Sequence, residues 1–247
     1  STMGIKILRG NIFTSKSQTL VNTVNCVGVM GAGIALECRL RYPEMHDKYV
    51  QLCAENKVDI GLLWIYKSPD RWILNFPTKK HWKYHSKKEY LNAGLDKFLN
   101  TYKEKQVKSI AFPLLGADKG GIPQDESLRI MTSYLEKVDA EIEIYKYDAT
   151  ASDDLYDKTK DWLLSQDIEQ ISESTKLRKN YVAKVVDAIQ SPNIVQLNQL
   201  ARIQGIGIKT LEKIFSLAQS SLVNEPNMTA GQQSLLWKSS SVSSKKA

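Results

Sequence analysis

Apolar residues recur along this chain in two rhythms. Ile5-Lys6-Ile7-Leu8-Arg9 alternates as a strand does, and Gly10-Asn11-Ile12 turns out of it. Residues 19–24 read as a second, mostly buried strand. Near Gly33 the spacing becomes helical and runs to Tyr42, where Pro43 stops it. A second helix is predicted from Glu44 to about Glu55, with Tyr49, Val50, Leu52 and Cys53 on one face. Residues 62–66 and 72–76 read as short strands around the turn-forming Ser68-Pro69-Asp70. Residues 88–102 are helical, with Leu91, Leu95, Phe98 and Leu99 on the apolar side. Residues 109–112 form a strand, 127–138 a helix and 141–147 a last strand.

Strands alternating with helices across residues 3–150 predict an α/β domain, three-layer with a mixed sheet. After Asp148 the strand signals cease. Residues 153–164 and 177–189 read as helices joined by a polar link through Glu173-Ser174, and Pro192 breaks the chain. Residues 151–238 are therefore expected to form a small all-helical region, and the Ser- and Lys-rich residues 239–247 a disordered tail.

Charge and composition narrow the partners. A formal net charge of +7 favours polyanions, nucleic acid first. No apolar run approaches the ~20 residues of a membrane span, so no membrane partner is expected. Cys26, Cys38 and Cys53 lack both even number and C-x-x-C spacing, which predicts no disulfide framework, no metal site and a cytoplasmic setting. Nothing in the pattern calls for a cofactor.

The strongest chemical signal is residues 21–36. Asn22 and Asn25 precede Gly28, Gly31 and Gly33, and a helix follows. A glycine-rich turn between strand and helix offers backbone N–H groups to phosphate. Its G-x-x-G-x-G spacing matches neither the dinucleotide fingerprint nor the P-loop. The asparagines can donate to and accept from sugar hydroxyls beside it. A second glycine-rich loop, Leu115-Gly116-Ala117-Asp118-Lys119-Gly120-Gly121, follows the strand at 109–112. Loops at the carboxyl ends of strands meet over one crevice in open α/β sheets, so both are expected around one ligand.

These residues fit a known pattern. Gly10-Asn11-Ile12, Val21-Asn22-Thr23-Val24-Asn25, Gly31-Ala32-Gly33-Ile34-Ala35 and Pro113-Leu114-Leu115-Gly116 together resemble the macrodomain, an ADP-ribose-binding module. Asn75-Phe76-Pro77-Thr78-Lys79-Lys80-His81-Trp82 resembles the FPTKxHW signature of the DarG branch. That branch comprises bacterial antitoxins that remove ADP-ribose from DNA bases modified by a partner DarT toxin. The resemblance implies that Lys79, directly after Thr78, is catalytic. It implies that Asn25, or Asn22, holds the ribose hydroxyls, and that the two glycine loops take the diphosphate. Asn11 and Ile12 would meet the adenine. Many macrodomains carry Asp at the position of Asn11; Asn accepts the same hydrogen bond without the charge. Some relatives place an assisting carboxylate where this chain has Gly120, and Asp118 reads as a turn residue rather than a catalyst.

Lys79 can act only when partly neutral, which burial or a neighbouring cation such as Lys80 would favour. Without the motif, Lys79 and Lys80 would read as solvated charge, and His81 and Trp82 as packing. The run KKHWKYHSKK at 79–88 interleaves lysines with aromatics, as single-stranded nucleic acid grooves do, and assigns Lys80, His81, Trp82 and Lys83 to DNA. Residues 195–217 resemble a helix-hairpin-helix, whose Gly205-Ile206-Gly207 turn and Lys209 would face a DNA phosphate. An ordinary αα-hairpin is as good a reading, as is a surface that holds the toxin. The expected function is hydrolysis of ADP-ribose from DNA. The alternatives are action on free ADP-ribose derivatives such as phosphate or acetyl esters, or non-catalytic reading of ADP-ribose.

Overall fold

The computed structural model describes residues 4–223. The expected disordered tail at 239–247, and the end of the helical region from 224 onward, lie outside them. The described residues form two compact units: residues 4–30 with 45–148, and residues 31–44 with 149–223.

The first unit is built on a six-stranded sheet of order β1-β6-β5-β2-β4-β3. Its strands are β1 (Ile5–Gly10), β2 (Thr19–Val24), β3 (Trp64–Lys67), β4 (Trp72–Pro77), β5 (Ser109–Pro113) and β6 (Glu141–Tyr147). β3 runs antiparallel to β4 and every other pairing is parallel. This is the expected mixed sheet of a three-layer α/β fold. Because β5, β2 and β4 are parallel neighbours, their carboxyl ends emerge side by side. Those ends are Pro113, Val24 and Pro77, and the segments leaving them carry the candidate chemistry.

Alternation along the strands sorts side chains between the faces. Val21, Leu74 and Phe76 enter one apolar cluster with Leu91, Leu95 and Phe98 of α3 (Lys88–Thr101). On the opposite face Asn22 and Asn75, direct partners in the β2–β4 register, bond side chain to side chain at 3.0 Å. Asn75 also reaches Met45 Sδ of α2 (Pro43–Ala54) at 3.6 Å. Gly94 lets α3 lie directly on the Phe76 ring: a Cβ there would come within 2.2 Å of Cζ. α4 spans Gln124–Leu135. Its polar first turn, Gln124-Asp125-Glu126, hid its start from a reading that began at Ser127, and Pro123, with no N–H to lose, sits at the N-cap.

The second unit is helical: α1 (Gly33–Arg41), α5 (Asp154–Leu164), α6 (Ile168–Thr175), α7 (Lys179–Ile189), α8 (Leu197–Ala201) and α9 (Ile208–Val223). The polar link expected near Glu173-Ser174 is instead the helix α6. The Asp167 carboxylate caps it by accepting from Glu169 N at 3.1 Å, and Ile171 is buried in the helical core. The sequence boundary at 150/151 is also not where the compact units divide. Residues 31–44 belong with the helices, because Leu36 and Leu40 of α1 join the apolar cluster formed by α5, α7, α8 and α9. Polar groups reinforce that packing: Arg41 pairs with Asp153 at 2.9 Å, Arg39 with Glu212 at 2.6 Å, and Asn198 donates to Glu37 at 2.7 Å.

Candidate active site

The segment leaving β2 is shaped by one side chain. Asn25 Oδ1 accepts from Val27 N at 3.1 Å and Val29 N at 3.3 Å, while its Nδ2 donates to Val29 O at 2.7 Å. Tyr49 of α2 donates its hydroxyl to Asn25 Oδ1 at 2.8 Å and lies 2.7 Å from Asn25 O. Asn25 therefore organises its own loop, and Tyr49 fixes Asn25. In the sequence Tyr49 read only as part of a buried helix face; nothing there marked its hydroxyl. Asn22, the other ribose candidate, is 0% exposed and spends its amide on Asn75.

The segment leaving β4 is strapped to that loop. Thr78 N donates to Val24 O at 2.9 Å and Cys26 N to Lys80 O at 3.2 Å. The Cys26 thiol, pushed up to about 11 by burial and by Asp59, lies 3.4 Å from Lys79 O. Thr78 is buried, and Lys79 is half-buried with its Nζ donating to Trp82 O at 3.3 Å. Burial, followed by the charge of Lys119, lowers the Lys79 amine below the ordinary lysine value, against an opposing pull from Asp118. The perturbing cation is thus in the second glycine loop. Lys80, the cation expected from the sequence, instead places its ammonium 5.8 Å from the Tyr90 ring centroid.

The second loop is compact and internally bonded. Gly121 N donates to Ala117 O and Ile122 N to Gly116 O, both at 2.9 Å, while Leu115 O accepts from Ser127 Oγ at 2.6 Å. Gly121 N, one of the backbone donors expected for the diphosphate, is therefore used to close the loop. Gly116 is buried at φ +66°, and a Cβ would lie 2.8 Å from Ile122 Cδ1. Gly120 and Gly121 pack under Ser86 and His85, and Ser86 N donates to Gly120 O at 2.9 Å. Asp118 and Lys119 are exposed on a single 3₁₀ turn. At the far end of the sheet face, Asn11 is buried and its Oδ1 accepts from Phe13 N at 3.0 Å, capping the turn Ile12–Thr14. Ile12 is 7% exposed.

The structure thus brings together the Asn25 loop, Lys79 and the loop with Asp118 and Lys119. Gly31, Ala32, Gly33, Ile34 and Ala35 fall in the helical unit, where Leu36 N bonds Ala32 O at 3.2 Å and Gly31 is exposed. In that unit α8 and α9 flank the turn at Gly205, which has φ +90° and is overlaid by the Lys184 side chain. Gly207 and Lys209 are exposed.

Comparison with known proteins identifies the fold. The Macro domain family model matches residues 21–131. The solved macrodomain of Mycobacterium tuberculosis DarG is 38% identical, and the match covers 57% of this chain and 97% of that one, with TM-score 0.54.

The chain belongs to the macrodomain family.

The Thermus aquaticus DarG macrodomain agrees with it at 39% identity and TM-score 0.54, over 58% of this chain and 97% of that one. The Thermosipho africanus DarTG structure in complex with ADP-ribose is 30% identical with TM-score 0.58, over 62% of this chain and 44% of that one. A Thermus aquaticus protein named DNA ADP-ribosyl glycohydrolase is 38% identical over 148 residues, which is 58% of this chain and 41% of that protein. This macrodomain chain therefore spans about two-fifths of the length of the full-length relative. Among its described residues no helix is long and apolar enough to cross a membrane.

Proposed function

We propose that this macrodomain hydrolyses the bond joining ADP-ribose to a base in DNA, and that it serves as antitoxin to a DarT-type DNA ADP-ribosyltransferase. The observation that carries the reading is Lys79. Burial and Lys119 lower its amine, and the residues on either side of it are strapped to the β2 end, Thr78 N donating to Val24 O and Cys26 N to Lys80 O. Breaking a bond to an anomeric carbon builds positive character on the sugar. A neutral amine beside it can relay a proton from the attacking water to the departing base nitrogen, or add to the anomeric carbon of the ring-opened sugar and expel that base, the resulting imine being released by water. The names of the relatives from Thermus and Mycobacterium favour this over action on free ADP-ribose derivatives. The free thiols of Cys26, Cys38 and Cys53 accord with a cytoplasmic setting, where DNA would be the substrate.

Within this reading, the Gly116–Gly121 loop serves the diphosphate and Asn11 the adenine end. The turn carrying Gly205, Gly207 and Lys209 serves as a second DNA contact. The test is incubation with ADP-ribosylated oligonucleotide and mass measurement of the released sugar nucleotide. Lys79→Ala is expected to abolish release while ADP-ribose affinity stays nearly intact; undiminished release would remove the mechanism. Binding of ADP-ribose by the native chain without turnover of any substrate would make it a reader instead.

A further inference from the structure

We infer that residues 81–84 form a two-ring stacking platform for unpaired bases flanking the modified nucleotide, with His81 as the positioning residue. This rests on the DNA reading above and assigns a surface to it. Tyr84 at 65% and Trp82 at 54% are the most exposed of the large hydrophobic side chains in the described residues. Exposing two neighbouring aromatics costs hydration that a fold normally avoids, so such a pair marks a binding surface rather than packing. The rings are also held. The His81 imidazole lies 5.2 Å from the Trp82 ring and 5.5 Å from the Tyr84 ring, centroid to centroid. His81 Nδ1 accepts from Lys83 N at 3.1 Å and His81 O from Tyr84 N at 3.2 Å, which fixes the turn between the two rings.

Both ends of the segment are anchored in the fold, by Cys26 N to Lys80 O at one end and Ser86 N to Gly120 O at the other. The platform starts beside the proposed reacting group, because Trp82 O accepts from Lys79 Nζ at 3.3 Å. Residues 79–88 carry five lysines and no carboxylate. That charge suits a phosphate backbone, and stacking on exposed rings tolerates any base, so the chemistry fits an unpaired strand better than a protein. The preorganised rings lose little freedom on binding.

The test is fluorescence anisotropy of a labelled, unmodified oligothymidylate titrated with the full chain at low salt. Trp82→Ala and Tyr84→Ala are each expected to weaken binding about ten-fold, as loss of one base–aromatic stack does. His81→Ala, which removes the spacer, is expected to weaken it comparably, whereas Trp82→Phe and Tyr84→Phe retain most of it. With ADP-ribosylated oligonucleotide the loss should fall on KM more than on kcat. Thermal melts matching the native chain confirm folding of each variant. Native affinity for oligothymidylate in all three alanine variants would overturn the platform. So would loss confined to binding of a DNA ADP-ribosyltransferase, which would make the surface a protein contact. If the native chain releases no sugar nucleotide yet binds oligothymidylate through these rings, the proposed function falls and the platform stands.

Discussion

Arg41 and Asp153 form a buried ion pair at 2.9 Å, joining the last turn of α1 to the N-cap of α5. The Asp153 carboxylate is 0% exposed and also accepts from Tyr156 N at 3.1 Å and Leu197 N at 3.3 Å. One side chain thus ties α1, α5 and α8 within the helical unit. Removing one partner of such a pair leaves the other charge buried and unmatched. Asp153→Ala is therefore expected to destabilise the helical unit by about 3–5 kcal/mol. Asp153→Asn should cost less, since it keeps acceptor capacity for the cap. Thermal or urea unfolding followed by circular dichroism measures both.

Glu37 gives that unit a pH dependence. Burial raises its carboxyl from 4.5 to about 7; Arg41 opposes the rise, Asp153 adds to it, and the hydrogen bond from Asn198 opposes it again. The native state therefore keeps the Glu37 proton over a range in which the unfolded chain releases it. Its contribution to stability is complete below 4.5 and is lost as the pH rises through about 7. The loss is on the order of 3 kcal/mol. Glu37→Gln cannot ionise, so it should be more stable than the native chain on the alkaline side of 7 and nearly equal to it in acid. Unfolding midpoints measured across this range check the sign.

The Lys79 amine should respond to its neighbours in the second loop. Lys119 lowers it and Asp118 raises it, so Lys119→Ala should move the activity limb that requires neutral amine to higher pH. Asp118→Asn should move it to lower pH. Rate profiles against pH on modified oligonucleotide read both shifts. A limb that stays in place in both variants would separate the amine from the chemistry.

Gly94 is kept for space rather than freedom. In a helix interior alanine is normally preferred to glycine by about 1 kcal/mol. Here a Cβ would meet the Phe76 ring at 2.2 Å, and that ring is buried at 0% exposure three residues before Lys79. Gly94→Ala is expected to cost about 1–3 kcal/mol through overpacking. By displacing the end of β4 it should also slow turnover. A melt and a rate assay on the same variant test both effects.

The loop at Asn25 offers a further check. Tyr49→Phe removes the hydroxyl that meets Asn25 Oδ1 at 2.8 Å while keeping the ring in the core. The loss of one buried hydrogen bond should cost about 1 kcal/mol. ADP-ribose affinity, measured by calorimetry, should fall as the loop loosens.

Much of this protein was legible in local pattern. The span of β6 agrees with the strand expected at 141–147, and the β2–loop, β4–Lys79 and β5–loop junctions follow from strands ending at Asn, Pro and Gly signals. These signals are local because strand period, helix period and turn chemistry depend on near neighbours alone. α6 escaped because only Ile168 and Ile171 are apolar in an eight-residue helix, and its one marker was the capping Asp167.

The sequence by itself determined which segments are proposed to carry the chemistry: Asn25, the Phe-Pro-Thr-Lys stretch and the second glycine loop. Only the tertiary structure decided how those side chains are used. Asn22 turns to Asn75, Asn25 to its own loop and Tyr49, and the cation beside Lys79 is Lys119 rather than Lys80. Helix α1, adjacent in sequence to the first loop, packs with helices more than a hundred residues away. Periodicity states which face of an element is buried; which distant partner covers it depends on volume, charge and register at positions that no local window contains.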